Sequence, residues 1–138
     1  MLKIYSNVEN NKLLHIINRF EDISQRTDII PDNNFLQLAT LKMNQGKTFR
    51  GHKHIWKPST TPDVIAQESW VVIQGSVKVY FYDIDNKLIL TEVLNRGDCS
   101  ITLEGGHNYE ILQDDTVVYE YKTGPYFGQE NDKVFLDD

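Results

Sequence analysis

The chain has one cysteine in 138 residues and no long apolar run, and both shortages exclude classes of protein. A single cysteine cannot form an intrachain disulfide, so nothing points to an oxidising compartment. No segment approaches the roughly 20 apolar residues that a membrane-spanning helix requires. The N-terminal dozen residues also lack the apolar stretch of a targeting signal. We therefore expect a cytoplasmic protein that does not bind membranes.

Basic residues are scarce relative to acidic ones. Lys and Arg number 14 against 20 Asp and Glu, which gives a formal net charge of −6. Nucleic acids and anionic membranes are bound through basic patches, so we expect neither as a partner. The hydrophobic fraction of 40% and the charged fraction of 25% are ordinary for globular proteins. We expect a single domain over residues 1–138, long enough to bury its own core.

The N-terminal third carries the helical pattern of this chain. Ser6 and Glu9 have the spacing of a capping box, in which a Ser and a Glu three residues later cap a helix. Apolar residues then recur at helical spacing, which predicts an amphipathic helix over about residues 8–20, packed outside the rest of the domain. The apolar face of this helix would consist of Leu13, Ile16, Ile17 and Phe20. We interpret His15, within it, as a surface or satisfied core residue.

From residue 35 onward the pattern changes to short strands separated by turn residues. The predicted strands are Phe35–Met43, Phe49–Trp56, Gln67–Gln74, Ser76–Asp83, Leu88–Leu94, Cys99–Leu103, Tyr109–Leu112 and Thr116–Tyr121. Gly75 is a hairpin signal, and the proline-containing segment 57–63 is a loop. These strands predict an antiparallel sandwich or barrel over about residues 35–122, followed by a C-terminal extension over 123–138.

Histidine and carboxylate spacing is the most informative feature of the sequence. His52 and His54 are one residue apart, so on a strand both side chains point to one face, about 6.6 Å apart. Glu68 shares its predicted strand face with Trp70, where an unpaired carboxylate would be costly. Together with His107 these residues could form a set of nitrogen and oxygen ligands, which suits first-row transition metals. The alternative is that the two histidines are partly exposed on an edge strand.

Further residues could line such a pocket. Arg50 shares the predicted face of the two histidines and could hold a phosphate or carboxylate, although a solvated surface position is the alternative. Trp70 and Tyr109 are predicted to contact a substrate. Cys99 is interpreted as a small buried hydrophobe rather than a reactive thiol. Gln67 would replace the carboxylate ligand if a bulge shifted the strand register.

These residues resemble the first motif of the cupin superfamily, G-x5-H-x-H-x(3,4)-E-x6-G. Gly46 precedes His52 by five residues, His54 follows at the required spacing, and Glu68 precedes Gly75 by six residues. Thirteen residues, instead of three or four, separate the second histidine from the glutamate. We interpret the excess as a loop inserted between two strands.

The second cupin motif, G-x5-P-x-G-x2-H-x3-N, is matched more loosely. Gly97, Gly105 and His107 fit it, with the histidine one residue early. Leu103 stands at the proline position and Ile111 at the asparagine position. The resemblance covers about residues 36 to 122.

The resemblance implies a double-stranded β-helix, the cupin jelly-roll barrel, which is usually dimeric. It implies that one divalent transition metal (Fe, Mn, Ni or Zn) is bound inside the barrel by His52, His54, Glu68 and His107. We accordingly expect an all-β fold with one N-terminal α-helix, a small-molecule ligand and a homodimer.

Cupins have diverse activities, so the fold alone does not decide the function. The first hypothesis is a metal-dependent enzyme, of isomerase, epimerase or dioxygenase type, acting on a small polar or carbohydrate-like substrate. The second is a non-catalytic small-molecule-binding or sensory protein. The third is a metal-free sugar-nucleotide isomerase or epimerase that uses His52 or His54 as acid and base.

Overall fold

The structure is a computed structural model that describes residues 1–40, 42, 44–45, 47–50, 54, 65–124 and 128–136. Within these residues the chain forms ten strands and two single-turn 3₁₀ helices, Phe20–Asp22 and Gln129–Asn131. The strands are β1 (Leu2–Tyr5), β2 (Leu13–Asn18), β3 (Thr27–Asp28), β4 (Ala39–Thr40), β5 (Glu68–Gln74), β6 (Ser76–Tyr82), β7 (Leu88–Asn95), β8 (Cys99–Thr102), β9 (Gly106–Ile111) and β10 (Val117–Lys122). No helix in the described part of the chain is long and apolar enough to cross a membrane.

The strands form two larger antiparallel sheets that pack face to face. One sheet has five strands in the order β1-β2-β8-β5-β10, and the other has three in the order β7-β6-β9. A single buried cluster contains Ile17 and Val72 from the first sheet and Val79, Phe81 and Leu94 from the second. Because these apolar side chains interdigitate, they form the core between the sheets. The all-β, antiparallel prediction is confirmed.

The five-stranded sheet is also covered on its second face. Ile16 and Ile101 from this sheet are buried together with Ile29 and Ile30, which come from the segment around β3. Strand β2 is therefore buried on both faces, and its residues 14–18 are all inaccessible to solvent.

The predicted helix over residues 8–20 is wrong, because β2 occupies this stretch. The capping interaction does form, since Ser6 Oγ accepts the backbone N–H groups of Val8 and Glu9 at 3.0 and 2.9 Å. Asn11, however, has a left-handed φ of 61°, which ends the turn and prevents helix propagation. The apolar run that follows matches both a helix and a strand buried on two faces, and sheet packing decides between them.

Gly75 is a corner between sheets rather than a hairpin. Strands β5 and β6 are each formed as predicted, but they belong to different sheets and do not pair with each other. Gly75 has φ +80°, and a Cβ there would lie 2.2 Å from Thr116 Oγ1. The hairpin prediction is wrong because the chain turns out of one sheet and into the other at this residue.

The other strand predictions differ in accuracy. The last four predicted strands are confirmed as β7, β8, β9 and β10, with β9 beginning three residues early at Gly106. In the predicted strand Phe35–Met43, only Ala39–Thr40 is a strand among the described residues. The described residues 49, 50 and 54 are outside strands, and the rest of Phe49–Trp56 lies outside the described residues, as does Gly46. The sheets also include β1 and β2, which precede the predicted barrel.

Candidate functional site

A row of polar side chains crosses the five-stranded sheet at one end. In the strand registers His15 of β2 is opposite Thr102 of β8, Thr102 is opposite Glu68 of β5, and Glu68 is opposite Lys122 of β10. Laterally aligned residues of neighbouring strands are close in space. We call these four residues the polar row.

His107 approaches the polar row from the facing sheet. It lies on β9, opposite Phe81 of β6. Its Nε2 atom is 3.2 Å from Oε1 of Glu68, so this contact joins the two sheets. Burial alone would raise the pKa of Glu68, but the hydrogen bond from His107 and the nearby charge of Lys122 outweigh it and lower this pKa. The Glu68 carboxylate is therefore ionised at neutral pH.

The second ring nitrogen of His107 is unsatisfied. Its Nδ1 atom is buried and has no hydrogen-bond partner among the described residues. A neutral imidazole that donates through Nε2 to Glu68 has an unprotonated Nδ1 with a free lone pair. Buried polar atoms without partners are rare in folded proteins, and a bound water or ion is one explanation for them.

A cavity of about 620 Å³ opens at the polar row. Its described lining residues are Ile65, Ala66, Glu68, Asp83, Ile84, Asn86, Thr102, Glu104, Gly105, Gly106, His107, Lys122, Glu130, Asn131, Asp132, Lys133, Val134 and Leu136. The segment 128–136, which we call the strap, forms one wall. Lys122 donates to Asp132 at 3.0 Å, and Leu136 packs against Gly106, so both contacts hold the strap on the sheets. The volume is that of a small-molecule site.

Two stacked aromatic rings lie next to Glu68 and His107. They belong to Trp70 and Tyr109, which follow those residues by two positions on β5 and β9. The rings of Trp70 and Tyr109 are 3.9 Å apart and nearly parallel. The Tyr109 hydroxyl is 2.9 Å from Ser100 Oγ, and Trp70 Nε1 donates to Glu120 at 3.0 Å. Burial raises the pKa of Tyr109 well above its ordinary value, so its hydroxyl stays neutral. Both rings of this stack pack against the apolar core between the sheets.

His15 is a satisfied core histidine, as interpreted from the sequence. It is fully buried, its Nδ1 is 3.2 Å from Thr102 Oγ1, and its Nε2 is 3.1 Å from the carbonyl oxygen of Tyr82. The ring stacks on Phe81 at 4.3 Å. A Cβ at Gly105, which has φ +83°, would lie 2.6 Å from the Tyr82 carbonyl oxygen and 3.1 Å from this imidazole. Gly105 therefore permits the close packing around His15.

The sequence-predicted site residues fall into three groups. The structure brings Glu68 and His107 together in the pocket, with Trp70 and Tyr109 beside them but not among its described lining residues. Arg50 and His54 are both exposed, and neither is among those lining residues. His52 lies outside the described residues. Within the described part of the chain, no group of three or more His, Cys, Asp or Glu side chains is arranged to hold a metal ion.

Sequence reasoning named only two of the described lining residues, and three of those it missed are polar residues that contact or flank Glu68. Thr102 and Lys122 join the site through strand registers, which the sequence does not specify. Asp132 joins it through the strap, a part of the C-terminal extension to which no chemical role was assigned. The periodicity of the strands gives each residue's face but not which residues become neighbours across strands.

Comparisons of this chain with protein-family models, with curated proteins and with solved structures gave no match.

Proposed function

We propose that this protein binds a small polar molecule at a metal centre in the pocket and acts on it as a cupin-type enzyme of isomerase, epimerase or dioxygenase class. The observation that carries the proposal is the contact between Glu68 and His107, which come from different sheets and were both assigned as ligands from motif spacing. His52 and His54 would complete the ligand set, which requires His54 to move from the exposed position outside the described lining that it has in the structure.

The separation of Glu68 and His107 supports the proposal of a metal site. Two atoms that each lie about 2.1 Å from a metal, at an angle of about 90–110°, are about 3.0–3.4 Å apart. The distance of 3.2 Å between His107 Nε2 and Glu68 Oε1 falls within this range. Imidazole nitrogen and carboxylate oxygen together are a donor set typical of Fe, Mn, Ni or Zn.

The strand connections support the jelly-roll part of the proposal. At Gly75 the chain leaves the five-stranded sheet for the three-stranded one. It returns between β7 and β8, leaves again between β8 and β9, and returns once more between β9 and β10. Strands β5 and β10 pair in one sheet, while β6 and β9 pair in the other. These four strands therefore form one antiparallel ribbon that folds over from one sheet to the other, as ribbons do in double-sheet jelly rolls.

Each residue of the pocket named here has a separate role in this proposal. A bound divalent metal would supply Lewis acidity toward a carbonyl or hydroxyl oxygen of the substrate. Glu68 and His107 would hold the metal from opposite sheets, Lys122 would keep Glu68 ionised, and the strap would exclude water from one side of the pocket.

Metal analysis of protein purified without chelator tests the proposal. We expect about one equivalent of transition metal, with retention falling below about pH 6 because imidazole must be neutral to bind. The double substitution His52→Ala and His54→Ala should abolish retention while circular dichroism stays unchanged, since the inter-sheet core is apolar. Lys53→Ala is the matched control and should retain metal.

Two outcomes contradict this proposal. Stoichiometric metal in the double variant would show that the histidines are not ligands. Outright unfolding of the double variant would make the metal structural, and the enzyme proposal would lose its main support.

A second candidate function is metal-free proton transfer in an isomerase or epimerase. The hydrogen bond between Glu68 and His107 favours it, because a carboxylate that fixes one ring nitrogen leaves the other as a general base. Protein that lacks metal as purified, and that binds ligand equally well after chelator treatment, would support this candidate over the first.

A further inference from the structure

A buried chain of hydrogen bonds ends at the wall of the pocket. His15 Nε2 is 3.1 Å from the carbonyl oxygen of Tyr82, and His15 Nδ1 is 3.2 Å from Thr102 Oγ1. Thr102 borders the cavity, whereas His15 is fully buried and is not among the described lining residues. The two residues are opposite each other in the pairing of β2 with β8, so their side chains lie on the same face of the sheet.

The chemistry of the partners fixes the direction of these hydrogen bonds. A carbonyl oxygen only accepts, so the His15 nitrogen that contacts Tyr82 must carry the ring proton. Burial lowers the pKa of His15 to about 4, so the ring is neutral at pH 7 and its Nδ1 is unprotonated. An unprotonated ring nitrogen accepts, and the Thr102 hydroxyl is therefore the donor. The single hydroxyl proton of Thr102 is committed to His15.

This commitment gives the Thr102 hydroxyl one role toward the cavity. A free hydroxyl can donate or accept, but an oxygen whose proton is already used offers only its lone pairs. Donation to a ligand instead would leave His15 Nδ1 buried without a partner, and this weakens such binding by about tenfold. Thr102 thus favours a ligand that presents an O–H or N–H group.

Thr102 also lies next to a proposed metal ligand. It is opposite Glu68 in the pairing of β8 with β5, and residues paired in this way have Cβ atoms roughly 5 Å apart. A metal held at Glu68 would take a ligand oxygen that supplies lone pairs. The neighbouring position, at Thr102, takes a group that supplies a proton. A hydroxy carbonyl compound or a vicinal diol meets both requirements.

We propose that Thr102 is a specificity-determining residue that binds the O–H group of a small hydroxy carbonyl compound or vicinal diol, and that His15 is the positioning residue that makes Thr102 an acceptor. The assignment rests on the proposed function, which it deepens by naming the substrate class and a residue that recognises it.

NMR of the His15 ring in the unsubstituted protein tests the direction of the hydrogen bonds. We expect a ring protonated at Nε2 and a slowly exchanging Thr102 hydroxyl proton coupled to His15 Nδ1. Thr102→Val should shift the Nδ1 resonance. Ser100→Ala is the matched control, because it removes a buried hydroxyl of the same strand that contacts Tyr109 instead. A His15 ring protonated at Nδ1 would overturn the proposal, since Thr102 would then be free to donate to a ligand.

Hydroxyacetone and fluoroacetone are the binding probes, because one carries a hydroxyl that donates where the other carries a fluorine that cannot. Binding is followed by the amide chemical shifts of Gly105 and Gly106, which line the cavity. The unsubstituted protein should bind hydroxyacetone about tenfold more tightly than fluoroacetone. Thr102→Val should lose this preference, while Thr102→Ser, which keeps the hydroxyl, should retain it.

A pair of substitutions at His15 tests its positioning role. His15→Asn keeps an acceptor oxygen near the position of Nδ1 and should preserve the preference for hydroxyacetone. His15→Leu fills a similar volume without an acceptor and should reduce the preference by about threefold, because the Thr102 proton is released. Circular dichroism confirms that both variants are folded. Equal preferences in the two variants would refute the role of His15.

The results that overturn this assignment differ from those that overturn the proposed function. Equal binding of the two probes, no binding of hydroxyacetone, or an unchanged preference in Thr102→Val would overturn it even if the metal is retained. A protein without metal that still distinguishes the probes through Thr102 would refute the metal centre and leave the role of Thr102 intact.

Discussion

Burial of one imidazole makes the stability of this protein depend on pH. Burial of His15 lowers its pKa from the ordinary 6.5 to about 4, and the hydrogen bond to the Tyr82 carbonyl only partly offsets this effect. The unfolded chain therefore binds more protons than the folded chain between these two pH values. The contribution of His15 to stability is fully present above pH 6.5 and is lost as the pH falls toward 4.

Replacement of His15 by glutamine should remove this dependence. A pKa lowered from 6.5 to about 4 corresponds to about 3 kcal/mol, so the free energy of unfolding should fall by about that amount between pH 7 and pH 4 through this residue alone. Urea unfolding in chelator at several pH values would show a shallower pH dependence in His15→Gln than in wild type. His54→Gln, at an exposed position, is the control. Equal pH dependence in wild type and His15→Gln would contradict the account.

A buried carboxylate joins two turns at the level of the secondary-structure elements. Asp83, at the end of β6, accepts hydrogen bonds from Ser6 Oγ and from the Asn7 backbone, both at 2.6 Å, and from the Ile84 backbone at 2.8 Å. Burial would raise its pKa, but these hydrogen bonds outweigh burial and lower it. The β1–β2 turn is thereby fixed to the β6–β7 turn, beside the pocket.

Conversion of Asp83 to asparagine should destabilise the fold by about 2 to 3 kcal/mol, because an amide N–H would replace an oxygen that accepts a buried hydrogen bond. Chemical denaturation would measure the loss. Asp85→Asn, in the same turn but more exposed, should leave the free energy of unfolding nearly unchanged. Equal effects of the two substitutions would show that Asp83 does not join the turns.

The element-level predictions from sequence succeeded where one face of a strand is apolar. The alternation in Ser76–Tyr82 leaves Val77, Val79 and Phe81 buried, and this strand was predicted to within one residue. The prediction failed at Leu13–Asn18, where burial on both faces removes alternation. It also failed at Gly75, since a glycine with positive φ serves a hairpin and an inter-sheet corner equally well.

At the scale of the whole molecule, the sequence indicated two of the residues that meet in the candidate site. The spacing of the motifs identified Glu68 and His107, which the fold brings into contact from separate sheets. The pairing of Glu68 with Thr102 and Lys122 depends on register, and the strap contact of Asp132 depends on a segment with no periodic pattern. Both the pairing and the strap contact depend on how distant segments of the chain pack together, so the local sequence did not indicate them.

The homodimer expected from the sequence remains a prediction, and one surface supports it. Val117, Tyr119 and Tyr121 are each about half exposed on β10, which lies at the edge of the described five-stranded sheet. Exposed apolar edge strands are usually covered. Light scattering should give about twice the chain mass of 16.0 kDa.

Substitutions on this surface should shift the association state. Tyr119→Glu combined with Tyr121→Glu should give a monomer, while Val8→Glu, at an exposed position in the β1–β2 turn, should not. A wild-type protein of 16 kDa at micromolar concentration would refute the dimer.

Both proposed functions depend on the contact between Glu68 and His107 across the two sheets. Long-range ¹H–¹⁵N NMR of the His107 imidazole, recorded at pH 8 on chelator-treated protein, tests this contact most directly. We predict a ring protonated at Nε2, because that nitrogen donates to Glu68. Glu68→Gln should shift the Nε2 resonance, while Glu120→Gln, at the position of β10 opposite Trp70, should not. A ring protonated at Nδ1, or a spectrum indifferent to Glu68→Gln, would contradict the account.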